Sequence, residues 1–152
     1  MAYLVDTNVL GRLANRSDAQ HGVALHAAIE LHRRGEILRL APQVLIEFRS
    51  IATRPIAPNG LGLSAVDTEA LAAGFETAFP LVVDTPDIYP AWKGVVAGLG
   101  IIGKQVHDAR LVAMMVKWRI ENILTLNERN FQRYAPTEIA VVTPSSLIAS
   151  GS

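Results

Sequence analysis

The chain of 152 residues contains no cysteine. That excludes disulfide scaffolds, thiolate zinc sites and cysteine nucleophiles at once. It also lacks net charge, since 14 Lys and Arg offset 14 Asp and Glu. A broadly basic nucleic-acid surface is therefore excluded, and any such contact would rest on a local patch. Aromatic residues reach only 6%, too few to advertise a row of base-stacking rings. Long apolar runs are missing too: Leu111 to Val116 is far too short to span a bilayer. The opening MAYLVDTNVL has neither the basic region nor the apolar stretch of a secretory signal. A cytoplasmic protein with no membrane partner is the expectation.

What is present is a chain half hydrophobic and 18% charged, long enough to bury one proper core. No repeat, low-complexity tract or linker divides it, so residues 1–152 are expected to form a single domain. Ala2 to Val5 reads as a buried strand ending at Asp6. Thr7 to Asn15 has helical spacing, and Ser17 to Gln20 has the form of a capping box opening a helix to about Arg34. Glu36 to Leu40 is a second strand, and Pro42 suits the first turn of a helix from Gln43 to about Thr53. Pro55, Pro58, Asn59 and Gly60 mark a loop. Ser64 caps a helix through Phe79, Leu81 to Val83 is a strand, and Ile88 to Leu99 is a helix kinked or delayed by Pro90. A helix from about Asp108 to Ile120 follows, then a strand at Asn122 to Leu126, a short helix near Phe131 and a strand at Ile139 to Val142. Alternating strands and helices predict an α/β fold with a central, mainly parallel β-sheet flanked by helices on both faces.

The loudest motif is GLGIIGKQVHDARL, Gly98 to Leu111. Gly98, Gly100 and Gly103 fit a dinucleotide fingerprint, and Gly98 to Lys104 fits the start of a P-loop. A P-loop, however, follows a strand and places Ser or Thr after its lysine to hold magnesium. Here the preceding residues are helical in pattern and Gln105 occupies that place. The segment reads instead as a glycine-rich connection.

Three carboxylates carry more information. Asp6 closes the first strand, and open α/β sheets bind ligands at the carboxyl ends of their strands. It would equally serve as an ordinary helix N-cap. Asp108 shares a helical face with Leu111, Val112 and Met115. A carboxylate in line with an apolar stripe is costly unless a helix N-terminus or a cation compensates its charge. Glu47 borders a face made by Val44, Phe48 and Ile51, and alone it reads as a partly buried glutamate paired with Arg49, Arg54 or another base. Together, three acids on three elements, without cysteine or zinc-type histidine spacing, suit magnesium or manganese. Acids holding such ions can activate water for phosphodiester cleavage.

At this point the chain resembles the PIN-domain ribonucleases, in particular the VapC-type toxins of toxin–antitoxin systems. The likeness is carried by Val5-Asp6-Thr7-Asn8, Glu47, Val106 to Leu111, and Ile123 to Asn127 with Asn130-Phe131. The resemblance implies a PIN-like fold, a magnesium or manganese site and endonucleolytic cleavage of RNA. It implies Asp6, Glu47 and Asp108 as metal ligands, with Thr7, Asn8, Thr125, Asn127 and Asn130 in support. It also implies a homodimer and inhibition by a cognate antitoxin protein. Such proteins commonly end the last motif Asn-x-x-Asp-Phe, whereas this chain has Asn130 in the acidic place. That leaves three carboxylates instead of four, and a non-cutting RNA- or partner-binding module is the alternative it favours. Lys104, Arg110, Arg129 and Arg133 flank the last two motifs and are candidates for substrate phosphate.

Overall fold

A computed structural model of the chain describes residues 1–57 and 59–150, so Pro58 of the expected loop lies outside the described residues. The apolar run at the start forms β1 (Ala2–Val5), in which Leu4 and Val5 are fully buried. A strand covered on both faces reads as a continuous apolar run, not as an alternation. Two further runs make β2 (Ile37–Arg39) and β3 (Asn122–Leu124), and β4 (Ala140–Val142) completes the sheet. The order is β2-β1-β3-β4 with every pairing parallel. Connections leave β1 toward β2 and later return to its other side at β3. The strand order therefore reverses beside β1, and this is where parallel sheets open a ligand crevice beyond their carboxyl ends.

Helices α1 (Thr7–Ala14) and α2 (His21–Arg33) follow β1, and α3 (Pro42–Thr53) follows β2 with Pro42 in its first turn. Next come α4 (Ala65–Ala78), capped by Ser64 as expected, and the hairpin of α5 (Ile88–Leu99) and α6 (Gln105–Trp118). A short α7 (Glu128–Phe131) runs into a 3-10 turn at Gln132–Thr137, and α8 (Pro144–Ser150) packs on α2. Phe48 of α3 is fully buried and meets the Phe75 ring of α4 edge-on, with centroids 5.2 Å apart. The buried stripe of α6 contains Leu111, Val112 and Met115, as its periodicity predicts.

Several boundaries differ from the sequence reading, each for a physical reason. Ser17 bonds back to the Asn15 side chain and caps nothing; the Ser17-to-Gln20 segment is a turn, and α2 begins at His21. Leu81 makes a single parallel bridge to Leu40, so Leu81 to Val83 is not a full strand. Proline at 90 does not kink α5, because it occupies the first turn, whose N–H groups lack helical partners anyway. The α6 helix starts three residues before Asp108, which therefore lies within its first turn. The last helix, α8, was not expected at all: seven residues are too few to display a period.

The three glycines of the motif separate. Gly98 is helical within α5, while Gly100 (φ 63°) ends that helix in the left-handed region and Gly103 (φ 63°) turns the chain into α6. A Cβ added at Gly98 would meet nothing within 4 Å. Gly98→Ala should therefore stabilise the protein by about 0.5–1 kcal/mol. Gly100→Ala has equal room but the wrong backbone, and should cost about 1–2 kcal/mol. Urea unfolding of the two variants checks this; the opposite order would misplace the end of α5.

Candidate functional site

The site grows from the residue that closes β1. Asp6 is buried, its N–H extends the sheet to Leu124 O, and its carbonyl starts α1 by accepting from Val9 N–H. Its carboxylate accepts from the Thr7 N–H (2.8 Å) and from Thr125 Oγ1 (2.8 Å). Thr125 follows β3 and is fully buried, and its hydroxyl also accepts from Asn8 Nδ2 (3.2 Å) and the Asn127 N–H (3.0 Å). One donor and two lone pairs are thus all used. Asn8 Oδ1 in turn accepts from Leu126 N–H (3.1 Å), stapling the start of α1 to the chain leaving β3.

Glu47 arrives from α3. Its Oε2 accepts from Thr7 Oγ1 (2.7 Å) and its Oε1 from Gln43 Nε2 (2.9 Å). The arginines that sequence proximity offered it are engaged elsewhere: Arg49 pairs with Glu69 and Arg54 reaches Ser50. Asp108 arrives from the first turn of α6 and is half-buried. Alongside, a groove of about 470 Å³ is lined by Gln43, Ile46, Glu47, Asp84, His107 and Arg110.

The charges of Asp108 and Glu47 reach Asp6, and that of Glu47 reaches Asp108. Burial pushes the Asp6 carboxyl up to about 6; the bonds from Thr125 and Thr7 oppose that, while Asp108 and Glu47 reinforce it. Burial and then the charge of Glu47 raise Asp108 to about 6, against smaller opposing effects of His107 and Arg133. Asp6 has no base among these influences. Buried Tyr134 lies near enough for Asp108 to help burial push its phenol up to about 12.

The structure thus brings together Asp6, Thr7, Asn8, Glu47, Thr125, the Asn127 main chain and Asp108. The Asn127 side chain is exposed, and Asn130 is half-buried in α7 with a main-chain bond to Asn127 O. Among the basic candidates, Arg133 influences Asp108 directly and donates to Gln105 Oε1. Arg110 sits on the groove wall, paired with Asp84 at 3.0 Å. Lys104 and Arg129 are exposed and make no ion pair among the described residues. Sequence reasoning missed Gln43, though its place four residues before Glu47 on one helical face was the available signal. It also missed Gln105 as the partner of Arg133, having read it only as a broken P-loop.

The donor set is all oxygen and suits a hard divalent cation. Among the described residues, no group of three or more His, Cys, Asp or Glu is gathered tightly enough to form a metal cluster as it stands. The oxygen donors still fit a hard cation chemically, since Asp6 is buried with no base beside it and the neighbouring acids raise its pKa further.

A parallel sheet whose switch point carries acids from β1, α3 and α6 has the layout of the PIN-like α/β fold. No protein-family model and no curated protein sequence matches the chain. Solved structures do. VapBC2 of Rickettsia felis, bound to a promoter DNA fragment, superposes with a TM-score of 0.66 at 13% identity, covering 94% of this chain and 98% of that one. VapBC-1 of nontypeable Haemophilus influenzae gives 0.66 at 15%, over 95% and 99%. VapC20 of Mycobacterium tuberculosis, a sarcin–ricin loop cleaving toxin, gives 0.60 at 22%, over 88% and 94%. The chain has the VapC-type PIN-domain fold. Among the described residues, no helix is long and apolar enough to cross a membrane.

The raised carboxyls predict an unusual pH dependence. Both Asp6 and Asp108 hold their protons to higher pH folded than in an unfolded chain, where Asp titrates near 3.9. The folded state binds more protons in that interval, so stability falls as pH rises from about 4 through about 6. For Asp6 the loss is about 2–3 kcal/mol; half-exposed Asp108 adds less, because solvent screens it. In EDTA the urea midpoint should be higher at pH 5 than at pH 7.5, and Asp108→Asn should flatten part of the slope. A midpoint that rises over this interval would contradict the burial of Asp6.

Proposed function

We propose that the chain is a metal-dependent endoribonuclease, the toxin of a toxin–antitoxin pair, which hydrolyses RNA phosphodiester bonds with magnesium or manganese. The observation that carries this reading is Asp6, buried at the switch point with its carboxylate held by Thr7 and Thr125, no base against it, and the charges of Asp108 and Glu47 within reach. The VapC-type fold supports it, as does the similarity to VapC20 of Mycobacterium tuberculosis, a sarcin–ricin loop cleaving toxin. A bound cation would supply the charge that lowers the pKa of attacking water and stabilises the leaving oxygen.

Within this reading Asp6, Glu47 and Asp108 are the ligands. Thr7 and Thr125 aim Asp6, and Thr7 also fixes Glu47 through its hydroxyl. Asn8 and Asn127 hold Thr125 in place. Arg133 beside Asp108 and Arg110 on the groove wall take substrate phosphate, with Lys104 and Arg129 further along the strand. Asn130 brings no charge, which would weaken a second ion most. A cognate antitoxin is the natural partner, because several of the similar structures are toxin–antitoxin complexes. We further assign a homodimer acting in the cytoplasm.

A second reading, an RNA- or partner-binding module that does not cut, is favoured by Asn130 and by acids that are not yet gathered around one point. One experiment separates the two. Purified protein freed of any antitoxin should cleave RNA in added magnesium or manganese, and Asp6→Asn, Glu47→Gln and Asp108→Asn should each lose on the order of 10²–10³-fold in rate. Asn130→Asp should keep or raise activity. RNA binding without cleavage by the wild type would establish the binding module, and equal cleavage by all variants would put the site elsewhere.

A further inference from the structure

Gln43 does something that no nearest-neighbour reading of the chain anticipates. It stands one turn before Glu47 on α3, and its amide nitrogen spends both N–H groups. One goes to Glu47 Oε1 (2.9 Å) and the other to the main-chain oxygen of His107 (2.8 Å), the residue before Asp108. The two acceptors dictate the amide orientation, because a flipped Gln43 would turn its own oxygen on a carboxylate and a carbonyl. That orientation leaves Gln43 Oε1 buried without a hydrogen-bond partner. A buried orphan acceptor is uncommon and calls for an explanation. The two donated bonds provide one: they clamp the acid-bearing turn of α3 to the acid-bearing turn of α6.

We propose that Gln43 is a positioning residue, setting the separation of Glu47 and Asp108 and thereby the affinity of the site for a divalent cation. The proposal rests on the nuclease reading above. Glu47 is then fixed from both sides, by Thr7 at the start of α1 and by Gln43 tied to α6. Partners that orient ligand groups in this way typically govern metal affinity by one to two orders of magnitude. Gln43 touches no substrate in this role; it acts through Glu47.

The test uses Gln43→Met, which keeps the side-chain length and removes both donors, with Mn2+ itself as the calorimetric probe. Mn2+ should bind about tenfold more weakly than to wild type. RNA cleavage should fall at limiting Mn2+ and recover at saturating Mn2+, with KM for RNA unchanged. In a Glu47→Ala background the same substitution should change Mn2+ affinity by less than about twofold, because the residue through which it acts is gone. Gln43→Asn, too short to span both acceptors, should behave like Gln43→Met and serves if the methionine variant fails to fold by circular dichroism. Wild-type Mn2+ affinity in either folded variant overturns the proposal, as does an undiminished loss in the Glu47→Ala background. A wild type that neither binds Mn2+ nor cuts RNA overturns the nuclease reading and this proposal with it. An active wild type with indifferent Gln43 variants overturns this proposal alone.

Discussion

The hydrogen bond from Thr125 to Asp6 is the contact on which the site turns. It joins the residue after β1 to the residue after β3, across the point where the strand order reverses. An ionised carboxylate placed there would be expensive. Two donated hydrogen bonds offset part of that cost, and burial still wins, leaving Asp6 raised to about 6. The saturated Thr125 hydroxyl passes the constraint outward to Asn8 and Asn127, so the start of α1 and the approach to α7 are fixed by one buried network. Such networks specify geometry best when every member is satisfied.

Stability and chemistry pull in opposite directions here. The apolar core beneath the site is continuous, with Leu4, Val5, Ile123, Leu124 and the buried stripe of α6 all closed to solvent. That core supplies the free energy that lets the acids stay close and uncompensated. A marginally stable domain tolerates a deficit of a few kcal/mol at one spot only when the remainder is well packed. Carboxyls that gain from a cation are, in the same measure, carboxyls that weaken the fold without one.

Much of this was legible in the chain, and what was not shares a cause. The β1 run, the proline-started α3, the Ser64 cap and the apolar face of α6 are local patterns, and each appears where periodicity puts it. Asp108 stood out because its charge broke an apolar stripe, which a helical period makes visible. Glu47 did not stand out, because its partners, Thr7 and the His107-anchored Gln43, lie 40 residues or more away or act through such a residue. Leu81 fails as a strand for the same reason: a strand is completed by its neighbour, and only Leu40 is within reach. Ser17 to Gln20 matched a capping pattern letter by letter, yet the Asn15 side chain competed for the serine.

The glycine segment joins these threads. Gly100 and Gly103 do not cradle a phosphate; they reverse the chain between α5 and α6 so that the N-terminal turn of α6 points at the crevice. Asp108 itself lies in the first turn of α6, where the helix dipole favours a carboxylate. That help is not enough: with His107 and Arg133 also favouring the charged form, burial and Glu47 still raise Asp108 to about 6. A helix end, a histidine and an arginine together fail to neutralise this carboxyl's surroundings. Under the proposed nuclease reading, a cation bound near Asp6, Glu47 and Asp108 would supply the missing positive charge. The motif that resembled a nucleotide loop is thus the hinge that aims the third acid.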